Sequence, residues 1–190
     1  MRAVVVYESM YGNTHKIADA VATGLGSGFD VSVIPVWRAS AAILAEADLV
    51  VVGGPTHMHG MSRASTRKAA AKAASKPDSP LQLEPSAPGI GLREWIGRMG
   101  KQHVKAAAFD TRLHGKAALT GSAAKGINRM LRARGFDVIA EPESFLVTKQ
   151  DQLEPKETAR AEEWGVMLAA SMVPGAAPST VPGAAPSRTG

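Results

Sequence analysis

Hydroxyl, amide and glycine residues that could hold an anion are concentrated between Glu8 and Thr14, in the run ESMYGNT. The run joins a strand-like segment to a helix-like one, and Gly12 permits a tight turn. Such a turn offers backbone N–H groups, two hydroxyls and the positive end of a helix dipole to a phosphate. A plain Asn/Thr helix cap is the structural alternative. The lysine of a nucleoside-triphosphate loop and the Gly-x-Gly-x-x-Gly fingerprint are missing, which counts against NTPases and ordinary dinucleotide-binding folds.

Two later segments combine glycines with flat or polarizable side chains. The first is GGPTHMHGMS at 53–62, and the second is DTRLHG at 110–115. His57 and His59 have the spacing of a metal-binding pair, but a third ligand is not evident, so we predict no metal site.

Strand-like and helix-like segments alternate along the chain. Apolar, β-branched runs predict strands at 2–7, 30–36, 48–53, 104–110 and 136–148. Helical periodicity or Ala-rich composition predicts helices at 13–25, 40–47, 62–75, 92–99 and 122–134, and one more after Pro155. This order predicts an α/β fold, a doubly wound parallel sheet with helices on both faces. Ligands bind such sheets beyond the carboxyl ends of the strands, which directs attention to the loops 8–14, 54–62 and 111–121.

The composition is that of one globular domain. The 190 residues are 45% hydrophobic and 21% charged, and cysteine is absent, which excludes disulfides and thiolate metal sites. The sequence contains neither a run of the ~18 apolar residues that a membrane span needs nor a secretory signal, so we predict a cytoplasmic protein with no membrane partner. After residue 172 the motif VPGAAPS occurs twice. We predict a domain at 1–172 and a disordered Pro/Ala/Gly tail at 173–190.

The net charge of +5 has a local origin, because the acid-free segment 63–76 carries five basic residues and the rest of the chain is neutral. The segment lacks the aromatic residues that stack on bases, so we predict no nucleic-acid partner. The spacing of its cations predicts two stripes on one helix, opposite the alanines. A solvated face is the favoured interpretation, and docking of an acidic partner or of the extra phosphate of NADPH is the functional alternative. The five cations are Arg63, Arg67, Lys68, Lys72 and Lys76.

The run VVVYESMYGNTHKIADAVATGL resembles the phosphate loop of flavodoxins, whose pattern is Thr/Ser-x-Thr-Gly-x-Thr. Ser9, Tyr11, Gly12 and Thr14 occupy its positions, with Tyr11 replacing the usual hydroxyl residue. The Ser-Met-Tyr-Gly spelling, and Gly-Pro-Thr at 54–56 followed by Gly60, are also similar to NAD(P)H:quinone reductases of the tryptophan-repressor-binding-protein type. The resemblance implies a flavodoxin-like five-stranded sheet of order 2-1-3-4-5, of the short-chain type because no insertion splits the fifth strand.

The resemblance also implies FMN as cofactor. Its phosphate would lie on 9–14, and its ring between 55–61 and 111–115. The ring loops contain no Trp, Tyr or Phe, so His57, His59, Met58 or His114 would take the place of a stacking aromatic, and Trp37 is a more distant candidate. The implied cofactor-binding residues are Ser9, Met10, Tyr11, Gly12, Asn13, Thr14, Pro55, Thr56, His57, Met58, His59, Gly60, Asp110, Thr111, Arg112, His114 and Gly115.

Three functions are compatible with this resemblance. The first is an FMN-binding electron-transfer protein that serves a redox partner protein. The second is an enzyme, an NAD(P)H-dependent FMN quinone reductase, and the third is a flavodoxin-fold module that binds a partner without a cofactor. In the first two functions the cofactor supplies the chemistry, so the sequence does not need an acid/base pair. Trp95 and Trp164 are predicted to lie in the core, because each is on an apolar helix face.

Overall fold

The computed structural model describes residues 1–87 and 89–173. Its strands are β1 (Arg2–Tyr7), β2 (Asp30–Pro35), β3 (Leu49–His57), β4 (Gly60–Met61), β5 (Lys105–Leu113), β6 (Asp137–Val138) and β7 (Glu143–Val147). Its α-helices are α1 (Asn13–Leu25), α2 (Ala41–Ala45), α3 (Ala64–Ala74), α4 (Leu92–Arg98), α5 (Ala117–Thr120), α6 (Ala123–Ala133) and α7 (Glu157–Met172). The predicted tail at 173–190 lies outside the described residues except for Val173, so it stays a prediction.

The central sheet is parallel and has the order β2-β1-β3-β5-β6. This order confirms the predicted 2-1-3-4-5 arrangement, because β5 is the fourth predicted strand. The fifth predicted strand, 136–148, is two strands: β6 pairs with the beginning of β5, and β7 pairs in parallel with its end. Pro142 precedes β7 and has no N–H for the ladder, which explains the interruption.

Alternation along the strands divides the apolar side chains between the two faces of the sheet. On β1, Val4 and Val6 point into a core shared with α4 and α6, whereas Val5 and Tyr7 point into a core shared with α1 and α7. β3 and β5 alternate in the same way. The near-continuous apolar runs of the sequence therefore reflect strands that are buried on both faces.

Two glycines allow α1 and α7 to pack at close range. A Cβ added at Gly24 would lie 1.9 Å from the carbonyl oxygen of Glu162, and one added at Gly165 would lie 2.4 Å from that of Val21. Any side chain at these positions would force the helices apart.

Both helical tryptophans are core residues, as predicted. The indole N–H of Trp95 donates a hydrogen bond to the carbonyl of Ala39 at 2.7 Å. Trp164 packs edge-to-face against Phe109 and Phe145 with ring centroids 6.1 Å apart. Each ring therefore fastens a helix to the sheet or to its neighbouring loop.

The prediction of a fully solvated basic stripe on α3 is wrong for Arg67, which is 6% exposed. Its guanidinium donates to the carboxylate of Glu94 at 3.2 and 3.3 Å and to the Ser62 hydroxyl at 3.1 Å. Gly91 leaves room for it, because a Cβ there would lie 2.3 Å from Nη1. The side chain is buried because the segment leading into α4 folds over α3, a contact that helical spacing alone does not reveal.

We predict that Arg67→Met lowers the free energy of unfolding by about 3 kcal/mol, because it leaves a partly buried carboxylate without its partner. The matched control is Lys68→Met, next to it on α3, which removes an exposed cation and is expected to change stability by no more than ~0.5 kcal/mol. Urea unfolding followed by circular dichroism measures both. Equal losses in the two variants would contradict a structural role for Arg67.

Candidate functional site

The turn between β1 and α1 is buried and tightly closed. Ser9 and Thr14 are each 2% exposed, and the Gly12 N–H donates to the Ser9 hydroxyl at 3.1 Å. Gly12 has a φ of 92°, in the left-handed region that glycine tolerates. α1 begins at Asn13 without a side-chain cap. The plain helix-cap interpretation of Asn13 and Thr14 is therefore wrong, because their side chains bond elsewhere.

Those side chains connect the turn to distant parts of the chain. The Thr14 hydroxyl hydrogen-bonds the hydroxyl of Thr111 on β5 at 2.8 Å, across 97 residues of sequence. The Asn13 amide donates to the carbonyl of Asp151 at 2.9 Å, across 138 residues. The turn is thus held against β5 and against the segment that follows β7.

A cavity of about 230 Å³ lies at the carboxyl ends of β1, β3 and β5. Ten of the predicted site residues line it, and three further residues were not predicted. The predicted ones are Ser9, Met10, Tyr11, Asn13, Thr14, Pro55, Thr56, His57, Thr111 and Arg112. The others are Leu113, Val147 and Asp151.

The loop predicted at 54–62 is largely strand, and the loop predicted at 111–121 begins as strand and contains the short helix α5. β3 continues to His57, because it pairs with β5 as far as Pro55↔Thr111 and then antiparallel with β4. The chain reverses at Met58 and His59, which both have positive φ. We call residues 56–61 the β-hairpin. In the same way Thr111–Leu113 belongs to β5, because these residues pair with β7. On the side of β3 and β5, the cavity is therefore walled by paired strand ends.

Seven predicted site residues lie outside this cavity. Asp110 is fully buried beneath it, and its Oδ2 accepts hydrogen bonds from the Thr56 and Ser122 hydroxyls and from the Ala124 N–H at 2.8–3.1 Å. Asp110 thus joins β3, β5 and the start of α6. Of the remaining six, Met58, His59 and Gly60 line a neighbouring cavity. Gly12, His114 and Gly115 are not among the lining residues of either cavity.

Three ionisable side chains at the cavity, Arg112, Asp151 and His57, differ in their hydrogen bonding and burial. Within the described chain, the Arg112 Nε–H has no hydrogen-bond partner, although Nη1 donates to the carbonyl of Gly115 at 2.7 Å. Burial raises the pKa of Asp151, and it lowers the pKa of His57, with Arg67 adding to the effect. His57 is therefore a neutral, flat ring near pH 7.

Trp37 lies away from this cavity. It lines a separate depression with Tyr7, His15 and Glu84, on the outer side of the turn. There the rings of Tyr7 and His15 are stacked with centroids 4.3 Å apart, and burial raises the pKa of Tyr7 to about 12. Glu84 lies in the loop between α3 and α4, and its N–H donates to the Met10 carbonyl at 2.8 Å. The loop therefore braces the turn from outside.

Glu8, the residue before the turn, anchors a buried polar cluster behind the site. Its carboxylate accepts hydrogen bonds from the Leu92 N–H at 2.8 Å and from the Ser62 hydroxyl, which also accepts from Arg67. Burial raises the pKa of Glu8 and outweighs the opposing effects of these partners. The carboxylate connects β1 to the beginnings of α3 and α4.

The raised pKa of Glu8 predicts the sign of a pH dependence. A carboxyl group that holds its proton more tightly when folded stabilises the fold most below its ordinary pKa of 4.5, and that contribution is lost as pH rises through the raised value. We expect the unfolding free energy of the wild type, minus that of Glu8→Gln, to decrease as pH rises above 4.5. Urea unfolding across a pH series measures it. A difference that grows with pH would mean that Arg67 outweighs burial.

The described residues contain no group of three or more His, Asp or Glu side chains that could hold a metal. None of the helices in residues 1–87 and 89–173 has both the length and the apolar character that crossing a membrane requires.

A sequence model of the flavodoxin family matches residues 5–164. The chain belongs to the flavodoxin family. FMN is the cofactor of this family, so the resemblance noted for the run at 9–14 is confirmed at the level of fold and cofactor. No curated protein sequence gives a significant match.

Solved structures agree on the fold. A flavodoxin from the domain Archaea has a TM-score of 0.61 at 22% identity, covering 90% of this chain and 99% of that chain. Flavodoxin 1 from Bacillus cereus has a TM-score of 0.59 at 19% identity, with 90% and 97% covered. The flavodoxin, WrbA-like protein from Agrobacterium tumefaciens has a TM-score of 0.50 at 20% identity, with 90% and 96% covered. At these sequence identities the similarity shows a shared fold alone.

Proposed function

We propose that this flavodoxin holds FMN in the cavity at the carboxyl ends of β1, β3 and β5 and exchanges electrons with a partner protein. The observation that carries the proposal is the convergence of the uncapped start of α1 with the ends of β3 and β5 around one cavity. This is the end of a parallel sheet at which ligands bind. The family match supports an electron-transfer role in general.

The turn at 9–14 fits the phosphate group of FMN. α1 has no side-chain cap, so its positive end is available to an anion. Ser9 and Thr14 line the cavity, and Arg112 adds an Nε–H that has no partner among the described residues. Asp151 is an acidic residue at the same cavity, and its backbone carbonyl is bonded to the Asn13 amide of the turn.

The strand ends suit the flavin ring. Pro55–His57 and Thr111–Leu113 provide two rigid walls, since both stretches are paired in the sheet. Bound FMN would supply reversible electron transfer. The neutral imidazole of His57 offers a flat surface without adding charge, and Tyr11 is held by a hydrogen bond from its hydroxyl to the Ala70 carbonyl at 3.0 Å. The role of the protein is to position the flavin ring and to leave one edge of that ring accessible.

An NAD(P)H-dependent quinone reductase is the second candidate. Its support is the Gly-Pro-Thr sequence at 54–56 with Gly60, together with a second cavity of about 490 Å³ beside His57 that Arg63 and Arg93 line. A dinucleotide phosphate could bind such side chains. The cofactor-free module has less support, because the phosphate-binding turn is intact.

We predict that FMN binds more tightly than riboflavin, because the turn is suited to a terminal phosphate. Ser9→Ala and Thr14→Ala should each weaken FMN binding by about 1.5–3 kcal/mol, the loss typical of a hydrogen bond to a charged group. Thr23→Ala, a hydroxyl removed from the far end of α1, is the matched control and should have no effect. Quenching of flavin fluorescence measures all the affinities. Equal affinity for riboflavin and FMN would contradict the phosphate assignment.

The two candidate functions separate in a kinetic test. For an electron-transfer protein we expect purified, FMN-loaded chain to oxidise NADPH with a soluble quinone at well under ~1 s⁻¹, the lower end of typical enzyme turnover. The chemically reduced protein should nevertheless pass electrons rapidly to a protein acceptor. Stopped-flow absorbance at the flavin band follows both reactions. NADPH turnover at ordinary enzyme rates would favour the quinone reductase.

A further inference from the structure

Four cationic side chains from three separate segments surround the β-hairpin. They line two neighbouring cavities of about 490 and 430 Å³ that share residues 59–61 and Arg93. We call this surface the basic groove. Arg63 precedes α3, Arg93 is on α4, and Lys125 and Arg129 are on the outer face of α6.

The positive charge of the basic groove is not neutralised. Among the ion pairs of the described residues, none includes Arg63, Arg93, Lys125 or Arg129. Arg93 donates instead to the backbone carbonyls of Met61 and Ser62 at 3.2 and 3.4 Å, which fixes its position and leaves its charge. The residues lining the two cavities include no Asp or Glu.

The nearby carboxylates are buried or paired. Glu8 and Asp110 are 5% and 0% exposed, and Glu94 is bonded to Arg67. They are used to hold the fold together and present little charge at the surface. An approaching molecule therefore meets a cationic rim without interleaved acids.

Exposed apolar residues lie in the basic groove and on the element next to it. Met58, at the turn of the β-hairpin, is 84% exposed, and Leu119, two residues before Gly121, is 72% exposed. Gly121 forms a bridge with His59, which brings the α5 region to the β-hairpin. An exposed methionine among these cations, with exposed Leu119 on the adjoining α5, has the composition of a protein-docking surface, in which apolar residues are ringed by polar groups.

We propose that the basic groove docks an acidic protein, the redox partner of this flavodoxin. The inference rests on the proposed function and adds the charge and location of the partner. His57 lines both the proposed FMN cavity and the basic groove, so a protein seated on the groove lies beside the flavin. A protein fits better than a dinucleotide, because the cations stand on both sides of the β-hairpin, with exposed Met58 between them.

The test uses a small acidic [2Fe–2S] ferredoxin as the probe and basic cytochrome c as its opposite. Isothermal titration with the full-length, FMN-loaded protein should detect binding of the ferredoxin at low salt and its weakening at physiological ionic strength, where exposed charges are screened. The double variant Lys125→Glu/Arg129→Glu should bind the ferredoxin about tenfold more weakly. The matched control is Lys72→Glu/Lys76→Glu, which reverses two exposed cations outside the groove and should change binding by less than about twofold.

Measuring binding and electron transfer separately distinguishes failure of the docking surface from failure of the proposed function. Equal weakening by the two double variants, or stronger binding of cytochrome c than of ferredoxin, would overturn the docking surface while leaving the proposed function intact. A raised Michaelis constant for NADPH in Lys125→Glu/Arg129→Glu, with no change in ferredoxin binding, would assign the groove to the dinucleotide and overturn it as well. If binding depends on the groove but the reduced flavin passes no electrons to ferredoxin in stopped-flow experiments, the docking surface stands and the proposed function fails.

Discussion

The site depends on the register of three parallel strands. Tyr7 of β1 lies opposite Gly53 of β3, which lies opposite Phe109 of β5. A Cβ on Gly53 would stand 1.9 Å from the Phe109 ring, so glycine at this position lets that ring pack against the sheet. This alignment brings the three strand ends to the same edge, and the turn after β1, the β-hairpin and the end of β5 surround one cavity as a consequence.

Most of the fold could be predicted from local sequence, because its signals are local. Apolar runs indicated the strands, and the helix predicted from residue 40 does begin there, where the Ser40 hydroxyl accepts a hydrogen bond from the Ile43 N–H. The limits of β3 and β5 could not be predicted, since polar residues such as Thr56 and Thr111 look like loop until their pairing partners are known. The lining of the cavity could not be fully predicted for the same reason. Asp151 is held there by a hydrogen bond from the Asn13 amide to its carbonyl, across 138 residues of sequence.

For Arg67 the sequence pattern predicted the helix correctly and the exposure of the side chain wrongly. Its spacing from Arg63 does place it on α3, but burial is decided by what packs over the helix. Glu94 and Gly91 lie at the start of α4 and pack against Arg67. The Arg67–Glu94 pair is connected through Ser62 to Glu8, beside the turn at 9–14. The segment that joins α3 to α4 thus ends at Gly91 beside this pair, and the N–H of its Glu84 is bonded to the Met10 carbonyl of the turn.

This use of carboxylates inside the fold also determines the surface around the β-hairpin. Glu8, Asp110 and Glu94 each accept backbone or guanidinium N–H groups that would otherwise be buried without partners, and burying an unpaired polar group is costly. With these three acids turned inward, the charged residues that line the surface beside the β-hairpin are cations, contributed by α4, α6 and the start of α3. A basic face next to the proposed flavin cavity then follows from the way this chain satisfies its buried N–H groups. Of the four cations of the basic groove, only Arg63 belongs to the basic segment 63–76 that the sequence analysis singled out. The other three come from separate parts of the chain.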